Sequence, residues 1–302
     1  MHNSLLFLLC AFVYGSTWFA ITLQLGVVDP LWSVCYRYIL SAALLALFCC
    51  YRKSFVRFSL NQHWRLFLQG SCLCGLAYWF TYLSELHITS ALSALMSTTI
   101  LYLNLAIGRL WLGNPVRFPV FMGGCVGSVG ILLIFLPDLH FSASDNMLQG
   151  MLLAFIGCIF FSIGSVACEK NEREGLALLP VATLNMFYGG VLVSVIALVK
   201  GCTPVVVFSF EYIASLLYLI FFGSIAALVS YMALIRRIGA DRTAYVDIVY
   251  PVIALFISTI FEGYQWTLLS ITGVFFVITG NLVALGGVSK LLVYVKRKGS
   301  NL

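Results

Sequence analysis

The chain is short of charge. Only 9% of its 302 residues are Asp, Glu, Lys or Arg, where a soluble domain carries about a quarter. Hydrophobic residues make up 62%, more than a water-soluble fold can hide, so the composition points to an integral membrane protein. Histidine is scarce too: the four, His2, His63, His87 and His140, fall in loops or at the ends of apolar runs. No paired histidines or paired carboxylates stand at matching depths, which argues against a metal centre and leaves an intramembrane enzyme as a remote alternative. Nearly all of the ten cysteines lie inside apolar runs, where cysteine behaves as a small hydrophobe. Neither disulfide, metal nor cofactor is expected. The start, "MHNS", has no Lys or Arg, and the apolar run after it is too long for a signal peptide, so this run is expected to stay as a first helix.

What is present is a succession of apolar runs, each near the 20 or so residues that cross a bilayer as a helix. They predict spans over Leu5–Leu25, Leu31–Tyr51, Leu66–Leu86, Ala91–Leu112 and Phe118–Leu136. A second set runs over Gln149–Cys168, Leu176–Val199, Tyr212–Ile235, Thr243–Phe261 and Leu268–Leu285. The expected fold class is therefore an all-α integral membrane protein of ten transmembrane helices. Placing both termini in the cytoplasm puts every one of the 17 Lys and Arg on the inner side except Lys200, which falls outside, and Arg37, which lies within a span. The net charge of +6 thus reads as orientation, and no nucleic-acid partner is expected.

A shift of about 150 residues aligns the two halves. Gly15 and Ser16 fall on Gly164 and Ser165, Pro30 on Pro180, and Gly123 and Gly130 on Gly273 and Gly280. Five spans per copy force the second copy into the membrane upside down, the inverted-repeat plan of many secondary transporters, with substrate near the midplane between copies. The expected units are residues 1–145, residues 146–287, and a basic cytoplasmic tail, 288–302. The spaced glycines also suit close packing of helices 5 and 10, and allow a homodimer.

The ninth span carries a carboxylate, Asp247, and a helix breaker, Pro251. At helical spacing Asp247, Pro251, Ala254 and Ser258 form one stripe with Tyr250 at its edge, while Val249, Val252, Phe256 and Ile260 form the other. Proline has no N–H and crowds the carbonyl four residues back, that of Asp247, so an unwound polar turn is expected here, tolerable only beside a cavity. In the first half the matching stripe is Ser97, Leu101, Asn104 and Gly108, extended by Ser93 and Ser90. Two readings of Asp247 stand: a residue of the transport pathway, or a partner of Arg242 or another basic loop residue. Arg37 is likewise open between binding a substrate anion and tying helix 2 to a neighbour such as Glu85. Trp18, Tyr78, Trp79, Tyr82, Tyr102, Tyr245 and Tyr250 are deep enough to wall a pocket, though core packing is the ordinary role of any one of them; Trp32 and Trp266 suit interface anchors.

The segment "ALIRRIGADRTAYVDIVYPVIALFISTIFEGYQW", from Ala233, resembles the EamA branch of the drug/metabolite transporter superfamily. So do "YGSTWFA" from Tyr14, "YRYILSAALL" from Tyr36, "TSALSAL" from Thr89 and "GGCVGSVGILL" from Gly123, and the likeness covers essentially the whole chain. The resemblance implies alternating access, a central cavity lined by helices 1, 3, 4, 6, 8 and 9, and export of amino acids and other small metabolites. Arg37 and Pro251 stand where the family commonly has arginine and proline. Leu101 departs from a frequent helix 4 proline, Asn114 from an acidic position, and Tyr14 from a frequent tryptophan. Helix 1 lacks the carboxylate of small multidrug resistance transporters, so their proton coupling is not carried over.

The expectation is a secondary transporter in a cell membrane, of the bacterial inner-membrane type, exporting a small metabolite, with an amino acid as the leading substrate. A lipid or amphipathic drug translocator is the alternative. The candidate substrate or coupling residues are Asp247, Pro251, Tyr250, Ser97, Asn104, Arg37, Trp18, Trp79, Tyr82 and Ser258. The expected partners are the small-molecule substrate and the lipid bilayer.

Overall fold

The computed structural model describes residues 3–26, 28–88, 93, 96–136, 145–261 and 266–284. Ser90, the side chain of Ser258 and the tail 288–302 lie outside the described residues. The described secondary structure is helical throughout. In chain order the helices are α1 (Asn3–Thr22), α2 (Pro30–Tyr51), α3 (Leu60–Glu85), α4 (Thr99–Leu112) and α5 (Phe118–Phe135). They continue with α6 (Asp145–Arg173), α7 (Leu178–Val199), α8 (Phe210–Ile238), α9 (Val246–Phe261) and α10 (Leu268–Ala284). A single turn, Ala240–Thr243, links α8 to α9.

Six of the described helices are long and apolar enough to cross a membrane, and α4, α5 and α10 are shorter apolar helices. Large apolar side chains such as Leu8, Phe12, Leu47, Phe221, Phe275 and Leu282 lie on the outside, the arrangement expected of a chain whose solvent is lipid.

Several helix ends differ from the apolar runs, because hydropathy marks the edge of the lipid-facing stretch and capping marks the edge of the helix. α3 begins at Leu60 because Ser59 and Gln62 form a reciprocal capping box, Ser59 N donating to Gln62 Oε1 at 2.8 Å. α2 starts on Asp29, whose carboxylate accepts from Leu31 N at 2.9 Å, with Pro30 in the first helical position. Gly113, at φ +66°, closes α4 in the left-handed conformation that glycine adopts without strain. α6 runs on past Cys168 through a polar last turn, where Glu169 and Arg173 pair one turn apart.

Two features were not expected. α3 and α8 each contain a π-helical segment, Ser71–Leu76 and Leu219–Ala226, about 150 residues apart and at corresponding places in the two halves. The packing partners also interchange. α5 packs on α10 and α2 on α7, while α1–α9 has its counterpart in α4–α6, α1–α8 in α3–α6, and α2–α8 in α3–α7.

The α5–α10 contact is a backbone seam. A Cβ built on Gly130 would stand 2.5 Å from the Gly273 carbonyl oxygen, and one on Gly273 2.5 Å from that of Gly130, so neither position admits a side chain. Gly123 and Gly280 meet in the same seam. The glycines that were expected to serve helix packing are thus engaged within one chain.

Candidate functional site

Where the halves meet, a cavity of about 70 Å³ opens among α1, α3, the start of α4, α6 and α9. Its wall includes Tyr14, Thr17 and Trp18 of α1, Tyr78 and Thr81 of α3, Ser93 and Ser97, Cys158 and Phe161 of α6, and Asp247 and Tyr250 of α9. Ligand pockets commonly hold about 300–1,000 Å³, so this one is contracted.

α9 supplies the polar wall because the stripe expected from spacing does face inward at its first turn. Asp247 is 3% exposed, takes part in no ion pair among the described residues, and its Oδ2 has no hydrogen-bond partner among them. Tyr250, one turn on, donates its hydroxyl to Ser97 Oγ at 2.6 Å, joining the two expected polar stripes. Its ring stacks on Trp18 at 5.8 Å between centroids and lies 6.4 Å from Tyr14. α1 approaches this closely only because residue 15 is glycine: a Cβ there would stand 2.8 Å from the Tyr250 carbonyl oxygen. Tyr231 of α8 touches Tyr14 and Phe161 edge-on at 5.9 and 5.4 Å, behind the wall, so α8, one of the helices expected to line the cavity, forms its second layer instead.

Asp247, Tyr250, Ser97 and Trp18 thus come together, and the remaining candidates among the described side chains do not line the cavity. The pairing of Asp247 with Arg242 is absent. Pro251 does not unwind its segment: α9 continues from Val246 to Phe261 with the proline inside and buried, one missing hydrogen bond being within what packed neighbours can absorb. Asn104 turns away, donating to the Ala240 carbonyl at 3.1 Å. Tyr82 donates to Gln24 Oε1 at 3.0 Å, and Trp79 lies under Lys200, whose Nζ is 5.2 Å from its ring.

Arg37 is fully buried, but it binds α8 and not Glu85. Nε donates to Ser224 Oγ and Nη2 to the Gly223 carbonyl, both at 2.8 Å, inside the π-helical segment of α8. The guanidinium also covers the ring of Tyr78, 4.6 Å from its centroid, so it sits behind the cavity wall. Its Nη1 has no partner among the described residues.

Sequence reasoning passed over Thr17, Thr81, Cys158 and Phe161. Their signal lay in the neighbours: Trp18 and Tyr78 were marked by aromaticity alone, Thr17 adjoins the first, Thr81 lies one turn from the second, and Cys158 and Phe161 stand on the facing helix α6.

A second polar region closes one end of the bundle, with a cavity of about 320 Å³ among Asn114, Arg117, Glu169, Glu172, Arg173, Arg236, Asp241 and Arg242. Arg173 pairs with Glu169 at 2.6 Å, Arg236 pairs with Glu172, and Arg117 lies 3.9 Å from Asp241. Glu169 also accepts from the Ala240 amide at 3.0 Å and from Asn114 Nδ2 at 3.2 Å. Burial raises the Asp241 carboxyl above its usual value, with Arg117 opposing the rise. The first residue of α1 belongs to this end too, Asn3 Oδ1 accepting from Arg237 at 3.2 Å.

The chain matches the EamA-like transporter family over two stretches, residues 3–136 and 148–286. It is 22% identical to Protein PagO of Salmonella typhimurium over 86% of this chain and 85% of that one. It is 26% identical to the uncharacterized inner membrane transporter YedA of Escherichia coli strain K12, over 82% and 78%. A crystal structure of another protein superposes with a TM-score of 0.78 at 15% identity, covering 96% of this chain and 98% of that one, which shows a shared fold. With its apolar helices, lipid-facing exterior and family match along nearly its whole length, this multi-pass membrane protein belongs to the EamA-like transporter family.

Proposed function

We propose that the chain is a secondary transporter that exports a small metabolite by alternating access, through the cavity between α1, α3, α4, α6 and α9. The observation that carries this reading is the cavity itself: a largely apolar, aromatic-walled space holding a buried carboxyl group without an ion-pair partner among the described residues, where the two halves of the molecule meet. Buried charge at membrane depth is costly and is kept where it handles substrate or ions. The proposed topology is ten transmembrane helices in two inverted repeats, residues 1–145 and 146–287. Both termini and the basic tail 288–302 then lie in the cytoplasm, and the membrane is a bacterial inner membrane. The matching π-helical segments, the interchanging helix contacts and the gathering of arginines with Asn3 at one end support it. The contracted volume fits a state in which the substrate path is shut, and rocking of the helices around the α5–α10 seam would reopen it.

The experiment is counterflow into proteoliposomes loaded in turn with single amino acids, with a labelled amino acid mixture outside and protein-free vesicles as controls. Accumulation driven by one internal amino acid is the expected result. Inserted, folded protein that accumulates none of them overturns the amino acid assignment and moves the test to lipids and drug-like molecules.

A further inference from the structure

The described cavity wall has one acidic side chain, Asp247, and no basic one. Most of the remaining polar wall is hydroxyl: Tyr14, Thr17, Tyr78, Thr81, Ser93, Ser97 and Tyr250. The buried cation Arg37 is held behind Tyr78 by two hydrogen bonds to α8. A substrate carboxylate entering here meets no lysine or arginine on the wall. A substrate ammonium meets an unpartnered carboxylate oxygen and the stacked rings of Trp18 and Tyr250. Aromatic faces attract cations, more strongly once water is excluded.

The same polarity recurs toward the other end of α3. Glu85 stands four residues after Thr81, one turn further along the same helix face, and both its carboxylate oxygens are enclosed with no hydrogen-bond partner among the described residues. Asp247 in the cavity and Glu85, about 6 Å of helix rise beyond Thr81, are both acidic side chains with no ion-pair partner among the described residues. A carboxylate enclosed without a partner is unfavourable in the empty protein, and an arriving cation removes that cost.

We propose that the cavity recognises its substrate through a positively charged nitrogen, so that the preferred ligand is a small organic ammonium ion with an apolar body, and a carboxylate on the ligand weakens binding. This rests on the transporter reading only for movement of the ligand, not for its recognition.

Three probes with one phenyl ring and different charge separate the outcomes: 2-phenylethylamine, phenylalanine and 3-phenylpropionate. Their binding to the purified full chain in lipid nanodiscs is measured by calorimetry. The amine is expected to bind at least about tenfold more tightly than phenylalanine, and the acid more weakly than either. Asp247→Asn should weaken the amine by about tenfold or more without changing affinity for neutral phenylethanol. Asp247→Glu, which keeps the charge if the amide variant fails to fold, should preserve the order of the three probes. Tighter binding of the acid or of phenylalanine, an Asp247→Asn protein that binds the amine as the native chain does, or binding of none of the three overturns the proposal. Counterflow with the same probes is read separately. Amine binding without flux keeps the recognition and ends the transport reading, whereas flux of the acid alone ends the recognition and keeps transport.

Discussion

Asp241 and Asp247 are six residues apart and live by opposite rules. Asp241 belongs to the charged end, where Glu169, Glu172, Glu174 and Asp241 each face an arginine. Asp247 lies in the cavity among rings and hydroxyls with no arginine at all. The end network also holds backbone: the peptide of Ala240 has its N–H taken by Glu169 and its carbonyl by Asn104, so α4 and α6 together clamp the turn that leads into α9. Paired charges at this end fix the chain, whereas Asp247 has no ion-pair partner among the described residues.

That contrast is breakable at four points, in descending size of effect. Asp247→Asn should cut transport about 100-fold or more while thermal unfolding in detergent stays within a degree or two of the native chain. A large loss of stability instead would make Asp247 a structural group like those at the end. Glu169→Ala should do the reverse, costing about 2–4 kcal/mol of stability because Arg173, Asn114 and the Ala240 amide all lose their acceptor. Amine affinity at the cavity should remain; equal loss of both would merge the two regions into one.

Asn114→Asp tests the network more finely. The native amide donates to Glu169 Oε1 while its own oxygen accepts from Arg173, a double role that a carboxylate cannot fill. About 1–2 kcal/mol should be lost at neutral pH, with part regained in acid as one of the facing carboxylates protonates. A neutral or stabilising result in unfolding scans would show that the charge and not the amide matters here.

The smallest effect belongs to Arg65→Ala. The Arg65–Glu174 pair is solvent-exposed, so its removal should cost about 0.5 kcal/mol or less. Arg65, hydrogen-bonded to Glu174, holds that carboxyl below its usual value. Its contribution is therefore present above the unfolded-state pKa and is lost as pH falls through the lower folded value. The difference between native and variant melting curves should vanish in that acid range; a difference that persists there would point to packing of the arginine stem.

The helices and the acid are legible in the sequence because both leave strong local marks: about twenty apolar residues in a row, and one carboxylate among them. Asp247, Tyr250 and Ser97 are legible because helical spacing puts each on a polar face. Arg37 does tie α2 to a neighbour, one of its two readings, but not to Glu85: its partners, a backbone carbonyl and Ser224, have no signature, only the π-helical segment in α8 presents them, and nothing in "LIFFGSIA" announces a change of helical pitch. Asn104 shares its stripe with Ser97, but Ala240 claims it through a peptide carbonyl, which any residue could have supplied. Pro251 shows the reverse error, a strong local rule overridden by packing, since the helix runs on through it.

Each π-helical segment sets the rotational phase of the helix C-terminal to it. A π segment holds one residue more than the α-helix it interrupts, and one residue turns an α-helix by about 100°. Forcing Ser71–Leu76 into plain α-helix with no residue removed would swing Tyr78 and Thr81 out of the cavity wall, with Glu85 turning alongside them, whereas deleting the extra residue as well would restore their direction. Forcing Leu219–Ala226 into α-helix at full length would likewise re-aim the rest of α8, carrying Tyr231 off its contacts with Tyr14 and Phe161. The bundle's interior thus depends on how each half absorbs its extra residue, the wider turn taking up the rotation that residue would add in a plain α-helix.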